Sequence, residues 1–296
     1  MVHADVMSYP SEADGRPADS QGDPAYALSR SPDEYERLSR QAAFLRGTTE
    51  ALFRAAGLER GMRVLDVGSG SGDVALLAAE LVGPEGEVVG VDVDGAALDI
   101  ARERTKALGL SSVTFVEGDA RTVELDGGFD AVVGRLVLMY WGDATEALRR
   151  LAAHVRPGGV VAFQELDLDP AVVSRSVPED ALWSETGRLV IDAFAGAGMQ
   201  TRMGRQLFGA FLDAGLPAPE MRDETLIGGG PDFAGYAWLA GVVRSLAPVM
   251  AKLAIADPSR LRLESLADRL RDDAIARGAV VWTPSFVGAY AHKPER

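Results

Sequence analysis

Val64-Leu65-Asp66-Val67-Gly68-Ser69-Gly70-Ser71-Gly72-Asp73 is the stretch that decides the fold. An apolar run of strand length, 63–67, ends in three glycines at alternate positions and passes into a helical stretch near 72–82. Gly68, Gly70 and Gly72 permit positive φ and let the backbone approach a ligand closely. In open α/β sheets ligands bind beyond the carboxyl ends of the strands, where this turn lies. A dinucleotide site requires G-x-G-x-x-G, and here Asp73 stands at the third position of that pattern. A carboxylate at a helix N-terminus repels a pyrophosphate, and Asp66 adds negative charge. The loop therefore suits a ligand with positive groups and no phosphate.

Working outward, further strands are predicted at 87–91, 113–116, 129–133 and 159–163, with helices near 96–108 and 143–155 between them. The strands are nearly continuous Val, Leu and Phe, as in parallel strands covered on both faces. This rhythm predicts an α/β, doubly wound, mostly parallel sheet. A helix at 205–214 and strands at 221–227 and 279–289 complete it at seven strands. Helical cap insertions near 170–200 and 231–277 carry Trp183, Phe194, Tyr236, Trp238, Leu246 and Met250, which could roof a pocket.

Ahead of the sheet, residues 1–24 are rich in Asp, Pro, Ser and Gly and are expected to be a disordered tail. Residues 25–57 read as an N-terminal helical lid in two helices. Ser31, Pro32 and Glu34 form a start signal with a capping box. Tyr35, Leu38, Ala42 and Leu45 follow at helical spacing, then Leu52, Phe53 and Ala56 in a second helix at 48–57. The main domain is 58–296.

The chain has 296 residues, 47% of them apolar and 25% charged, which suffices for one sizeable core. Cysteine is absent, so disulfides and zinc-thiolate sites are excluded. Three histidines, His3, His154 and His292, are too few and too scattered to suggest a histidine-built metal centre, and no metal site is expected. A net charge of −14 disfavours broad contact with nucleic acid or an anionic membrane. The sequence shows no secretory signal and no apolar run long enough to span a membrane. A soluble, cytoplasmic protein is expected.

Two further motifs bear acids at strand ends. Asp92 closes Val88-Val89-Gly90-Val91-Asp92 and can accept both hydroxyls of a ribose, with Asp94 as its competitor. In Val116-Glu117-Gly118-Asp119-Ala120, Asp119 can accept from an adenine amino group while the Ala120 amide donates to a ring nitrogen. S-adenosylmethionine, with a sulfonium and an ammonium, matches the charge of the glycine loop.

Together with Phe129-Asp130-Ala131-Val132-Val133 and Arg156-Pro157-Gly158-Gly159, these motifs resemble the class I S-adenosylmethionine-dependent methyltransferases over roughly residues 30–165. The resemblance implies the Rossmann-like methyltransferase fold with S-adenosyl-L-methionine as cofactor. Gly68 and its loop, with Asp66, Gly70 and Gly72, would hold the methionine part. Asp92 would bind the ribose, Asp119 and Ala120 the adenine, and Arg135 would line the cofactor past the fourth strand. The helix at 32–45 would resemble a lid over the cofactor, with Tyr26, Arg37 and Gln41 as its contacts. Arg37 could pair in a fork with the methionine carboxylate.

Within that family the sequence argues against several subclasses. The Asn/Asp-Pro-Pro-aromatic loop of nucleic-acid amino methylation is replaced by Arg135-Leu136-Val137-Leu138-Met139-Tyr140-Trp141. A catechol-type magnesium site lacks its Asn, because the chain contains none. Where plant-like O-methyltransferases carry a histidine base, Met139 stands. Glu165 is the leading candidate to orient or deprotonate substrate, and Tyr140 to hydrogen-bond it. The expected function is methyl transfer to a small acceptor, a natural product or secondary metabolite, with no nucleic-acid or membrane partner. The oligomeric state is left open, a homodimer among the options. The alternatives are a repurposed member that binds the cofactor without methylating, and a nucleotide-cofactor oxidoreductase.

Overall fold

The computed structural model describes residues 32–169, 175–179 and 181–295. Five strands build the parallel part of the sheet: β1 (Arg63–Val67), β2 (Glu87–Asp92), β3 (Val113–Glu117), β4 (Phe129–Arg135) and β5 (Val155–Asp167). Strand β7 (Glu220–Glu224) and the final strand β10 (Ser285–His292) complete it in the order β3-β2-β1-β4-β5-β10-β7. Only β10 runs against its neighbours, pairing antiparallel with both β5 and β7. The expected seven-stranded, mostly parallel α/β sheet is therefore present. Helices α2 (Asp73–Val82), α3 (Gly95–Ala107) and α4 (Ala144–Ala153) connect the parallel strands. Alternating apolar residues fail to appear in β1 and β4 because both faces are covered, and Val64, Leu65, Val132 and Val133 are all fully buried.

Several features differ from the sequence expectation. The two helices proposed over 32–57 are one, α1 (Pro32–Ala55). Gly47 lies mid-helix on the exposed side, and burial of Leu45, Leu52 and Phe53 against the sheet outweighs its low helix propensity. The capping box falls partly outside the described residues at Ser31, and Glu34 is engaged by Arg37 instead. The strand proposed at 279–289 is two strands, β9 (Val280–Trp282) and β10, separated at Thr283-Pro284, where proline has no amide for a ladder. Likewise β7 stops at Glu224, and β8 (Ile227–Gly228) follows after a bend. Strands β6 (Ser176–Val177), β9 and β8 form a small second sheet that nothing in the pattern announced.

Helix α5 (Ala181–Gly196) lies within 170–200, α6 (Met203–Asp213) is the helix expected at 205–214, and α7 (Gly235–Lys252), the short α8 (Pro258–Leu261) and α9 (Leu266–Arg277) lie within 231–277. Trp183, Tyr236, Leu246 and Met250 are buried between them. Trp183 and Tyr236 meet edge to face at 6.1 Å, and α7 lies against α1, α5 and α9. No helix among the described residues is long and apolar enough to cross a membrane.

Candidate active site

A pocket of about 400 Å3 opens where β1, β2, β3 and β4 end. It has two ends of different chemistry. The polar end is formed by Gly68, Gly70, Asp73, Asp92, Asp119 and Ala120, and the apolar end by Leu166, Leu168, Val190, Phe194 and Val242. Arg37, Gln41, Arg135 and Tyr140 also line it. The structure thus gathers most of the candidates named from sequence. Tyr26 lies outside the described residues.

The three glycines divide their work. Gly70 has φ of 51°, and a Cβ built there meets no atom within 4 Å, so its backbone faces open space in the pocket. Gly68 has φ of 68°, and its Cβ would come 2.7 Å from a methyl of Val137. Gly72 does not line the pocket; its Cβ would press on Ala101 and Phe115 at 3.0 and 3.2 Å. It serves the packing of α2 on α3 and β3, a correction to its expected place at the cofactor.

Asp92 at the end of β2 accepts the amides of Gly70 and Asp94, each at 2.8 Å, one on each oxygen. The glycine loop and the acid are therefore set by one another. The competitor Asp94 caps α3, accepting from the amides of Ala96 and Ala97, and also takes the hydroxyl of Tyr35 at 3.1 Å. Asp119 is gripped by Arg121, whose amide and guanidinium both donate to it, and these bonds hold its carboxyl below the ordinary range. Arg121 also lies 5.1 Å over the Trp141 ring. Asp73 pairs with Arg104 at 2.8 Å, and Arg104 donates further to the Ser71 carbonyl. The negative charge read from sequence at this helix terminus is thus partly compensated.

Beneath the loop, Asp66 is fully buried and does not line the pocket. Neither of its oxygens, nor the Ser69 hydroxyl, makes a hydrogen bond of ordinary geometry, although the Ala75 amide is near enough to favour the charged form of Asp66. Burial pushes the Asp66 carboxyl well up, Arg135 opposes this, and Asp92 and Asp73 add to it. Arg135 is the mirror case: burial lowers it while Asp73 and Asp66 raise it. One of its N–H groups donates to Thr49 at 3.2 Å, which in turn donates to Gln164.

Two sequence expectations change. The Arg37 fork does not stand ready for a carboxylate: it grips Glu34 through Nε and Nη2, the latter at 2.7 Å, and Nη1 donates to Gln41. Ser245 of α7 donates to the same glutamate, and the Trp238 indole donates to Gln41. These bonds clasp α1 to the cap. Glu165, expected at the substrate edge, is fully buried and absent from the pocket lining. Its carboxylate accepts the amides of Val137, Leu138 and Met139 at 3.0, 2.8 and 3.4 Å. Burial pushes it up to about 7 against the pull of those bonds. It is Leu166 that faces the pocket, because β5 runs on to Asp167 instead of ending at residue 163.

Residues 58–204 match the family model described as a methyltransferase domain. The chain is 33% identical over 134 residues to the demethylmenaquinone methyltransferase of Geobacillus kaustophilus, covering 44% of this chain and 57% of that protein. It is 38% identical over 156 residues to the tRNA (guanine(6)-N2)-methyltransferase of Thermus thermophilus, covering 46% and 44%. Residues 58–204 are a class I S-adenosylmethionine-dependent methyltransferase domain. The chain spans about half the length of these two curated relatives. In fold, the YcgJ protein of Bacillus subtilis matches at a TM-score of 0.57 and 17% identity, over 85% of this chain and all of that one.

Within the methyltransferase domain, sequence reasoning missed Arg104 and Arg121. Both had a signal: an arginine two residues beyond Asp119, and a basic residue in the last turn of α3. His154 caps the end of α4 with its carbonyl on the amides of Gly128 and Phe129, and no described histidine lines the pocket. Met139 does line it, where the histidine base of other members was expected. No group of acidic and histidine side chains among the described residues is placed to hold a metal.

Proposed function

We propose that the chain transfers a methyl group from S-adenosylmethionine to a small, largely apolar or aromatic acceptor. The observation that carries this is the single pocket with a polar and an apolar end. The open face of Gly70 and the amide-set Asp92 fit the cofactor; Asp92 would take the ribose, and Asp119 with Ala120 the adenine. The sulfonium supplies an electrophilic methyl group. The chain's own residues hold the two molecules in line and exclude water, which is most of what such a transfer needs. Leu166, Leu168, Val190, Phe194 and Trp238 would bind an apolar ring, and Tyr140 would hydrogen-bond its substituent. The name of the Geobacillus relative, a demethylmenaquinone methyltransferase, supports this acceptor class. The name of the Thermus relative points to tRNA, but the net charge of −14 favours the small acceptor. A secondary metabolite of this kind remains our reading of the acceptor.

The test is calorimetric titration with S-adenosylmethionine, followed by assay of S-adenosylhomocysteine release with a panel of phenols and hydroquinones and with tRNA. We expect cofactor binding and turnover with an aromatic acceptor. Turnover with tRNA alone refutes the acceptor class. Tight cofactor binding with no turnover on any acceptor favours a binding-only protein, and binding of a nicotinamide dinucleotide in its place favours an oxidoreductase.

A further inference from the structure

Residues 136–141 leave β4 and form the wall shared by both ends of the pocket. Val137 lies against the glycine loop, and Met139, Tyr140 and Trp141 line the pocket beyond it. Leu136, also in the lining, adopts a φ of 55°. That conformation is unfavourable for a leucine and persists only where the surroundings over-determine it. The segment then makes one short helical turn, Leu138–Tyr140. Amides at the start of such a turn have no carbonyl partner within it.

The structure supplies partners on both sides. From below, Glu165 accepts the three successive amides of residues 137–139. From the α5–α6 connection, Gln200 donates its backbone amide to the Met139 carbonyl at 3.0 Å and its side-chain amide to the Trp141 carbonyl. The Leu136 amide donates to the Gln164 carbonyl at 2.8 Å. Every residue from 136 to 139 and Trp141 is thus tied through its own backbone to β5 or to the cap.

We propose that Glu165 is the positioning residue of this wall: with Gln200 opposite, it fixes the backbone of residues 136–141 and so sets where an acceptor lies relative to the cofactor. This rests on the methyltransferase reading for its consequence in catalysis, but not for the clamp itself. A carboxylate suits the task because its two oxygens accept several donors at once, whereas a carbonyl or hydroxyl would leave an amide unmet. Burial opposes its charge, and the opposing influence comes from the three amides. An apolar residue would fill the same space without that conflict, but it would leave three buried donors unpaired. The bonds go to backbone, so the clamp holds the path of the segment whatever side chains stand on it. Glu165 touches neither ligand space; it acts through residues 137–139.

The experiment compares wild type, E165Q, E165A and Q200A in three measurements: hydrogen exchange of peptides spanning 136–141 in the ligand-free protein, affinity for S-adenosylhomocysteine, and kcat and KM with an acceptor from the panel above. In E165A the amides of residues 137–139 should exchange at least about tenfold faster while those of β1 stay protected, because local opening is what exchange reports. E165Q keeps one amide-accepting oxygen at the position that serves Val137 and Leu138, so it should recover most of that protection. Misplacement of the wall should lower kcat/KM in E165A by roughly tenfold to a hundredfold, with E165Q in between and a larger loss on the acceptor than on S-adenosylhomocysteine. Should E165A fail to fold, Q200A tests the same clamp from the other side, and faster exchange at 139–141 is the result required. Native protection of 136–141 in a folded E165A overturns the proposal. So does a loss of kcat in E165Q of about a hundredfold or more with protection intact, the signature of a true base. Exchange needs neither cofactor nor acceptor, so a failure of the methyltransferase reading leaves this result legible.

Discussion

Replacing Asp92 by alanine gives the sharpest test of the cofactor site. A bond to a charged acceptor is worth about 1.5–3 kcal/mol. Two ribose hydroxyls on one carboxylate share its charge, so we expect about 2–3 kcal/mol of lost cofactor affinity, less than two independent bonds would give. At 1.4 kcal/mol per tenfold, that is roughly 30- to 150-fold in Kd. A second effect adds to the first. The amides of Gly70 and Asp94 lose their acceptor, so the loop that should meet the methionine part is loosened as well. D92N is no gentle control, since its NH2 group must face one of those two amides, donor against donor; about a tenfold loss is expected from it. The proper control is D94A. It removes the cap of α3, which should cost about 1 kcal/mol of stability, while Kd stays within about fivefold. Calorimetry with S-adenosylmethionine and thermal melts on the three variants separate the effects. A Kd for D92A within threefold of wild type, or a larger loss in D94A, refutes the assignment of the ribose to Asp92.

Gly70→Val places its branch in open pocket space and should abolish cofactor binding in a folded protein; Gly72→Ala, pressing on Ala101 and Phe115, should destabilise the fold with less effect on Kd, and circular dichroism beside calorimetry distinguishes the two. Residues 32–45 should gain hydrogen-exchange protection on cofactor binding, since the Glu34–Arg37–Gln41 clasp joins α1 to the cap; equal protection with and without cofactor makes α1 plain scaffold. His154→Gln should keep kcat within about threefold, because general-base loss costs about a hundredfold or more; a large loss in a folded variant overturns our account of the site. Glu165, raised to about 7 in the fold from about 4.5 when unfolded, binds more protons in the native state between those values. Stability from this group is therefore complete below about pH 4.5 and falls as pH rises through 7. The shift corresponds to about 3 kcal/mol, and urea melts of wild type should show that extra slope relative to E165Q; parallel profiles would refute it.

Much of the polar end of the pocket could be read from residues alone because its groups sit at strand ends, where a glycine or acid interrupts a run of Val and Leu. Gly70, Asp92, Asp119 and Arg135 all fall at such interruptions. What was not legible has a physical cause in each case. Strand β5 is apolar on both faces, so nothing in its pattern said whether Glu165 or Leu166 faces the pocket. The glycine triplet cannot show which member meets a ligand and which meets Ala101, since that depends on a helix about thirty residues further on. The fork that the sequence suggests for a cofactor carboxylate is taken at Arg37 by Glu34, three residues before it on the same helix face. The break at Thr283-Pro284 was visible as a proline but not as a change of sheet, which only the pairing of β9 with β6 and β8 reveals.

That pairing has a consequence for how such proteins diversify. Gly228 on β8 stands opposite Val281 on β9, and the Gly229 backbone lies close to the Ala279 carbonyl. The whole excursion from 229 to 279, which brings Trp238 and Val242 to the apolar end, leaves and returns through one rung of a ladder. Its two ends are spaced like the ends of a hairpin loop. For segments joined at a fixed doorway, the entropic cost of closure rises only slowly with length. An evolving or engineered chain can lengthen, shorten or exchange this excursion without moving the strands that present Gly70 and Asp92. On the proposed function, the acceptor preference would then be a cassette, separable from the residues proposed to hold the methyl donor.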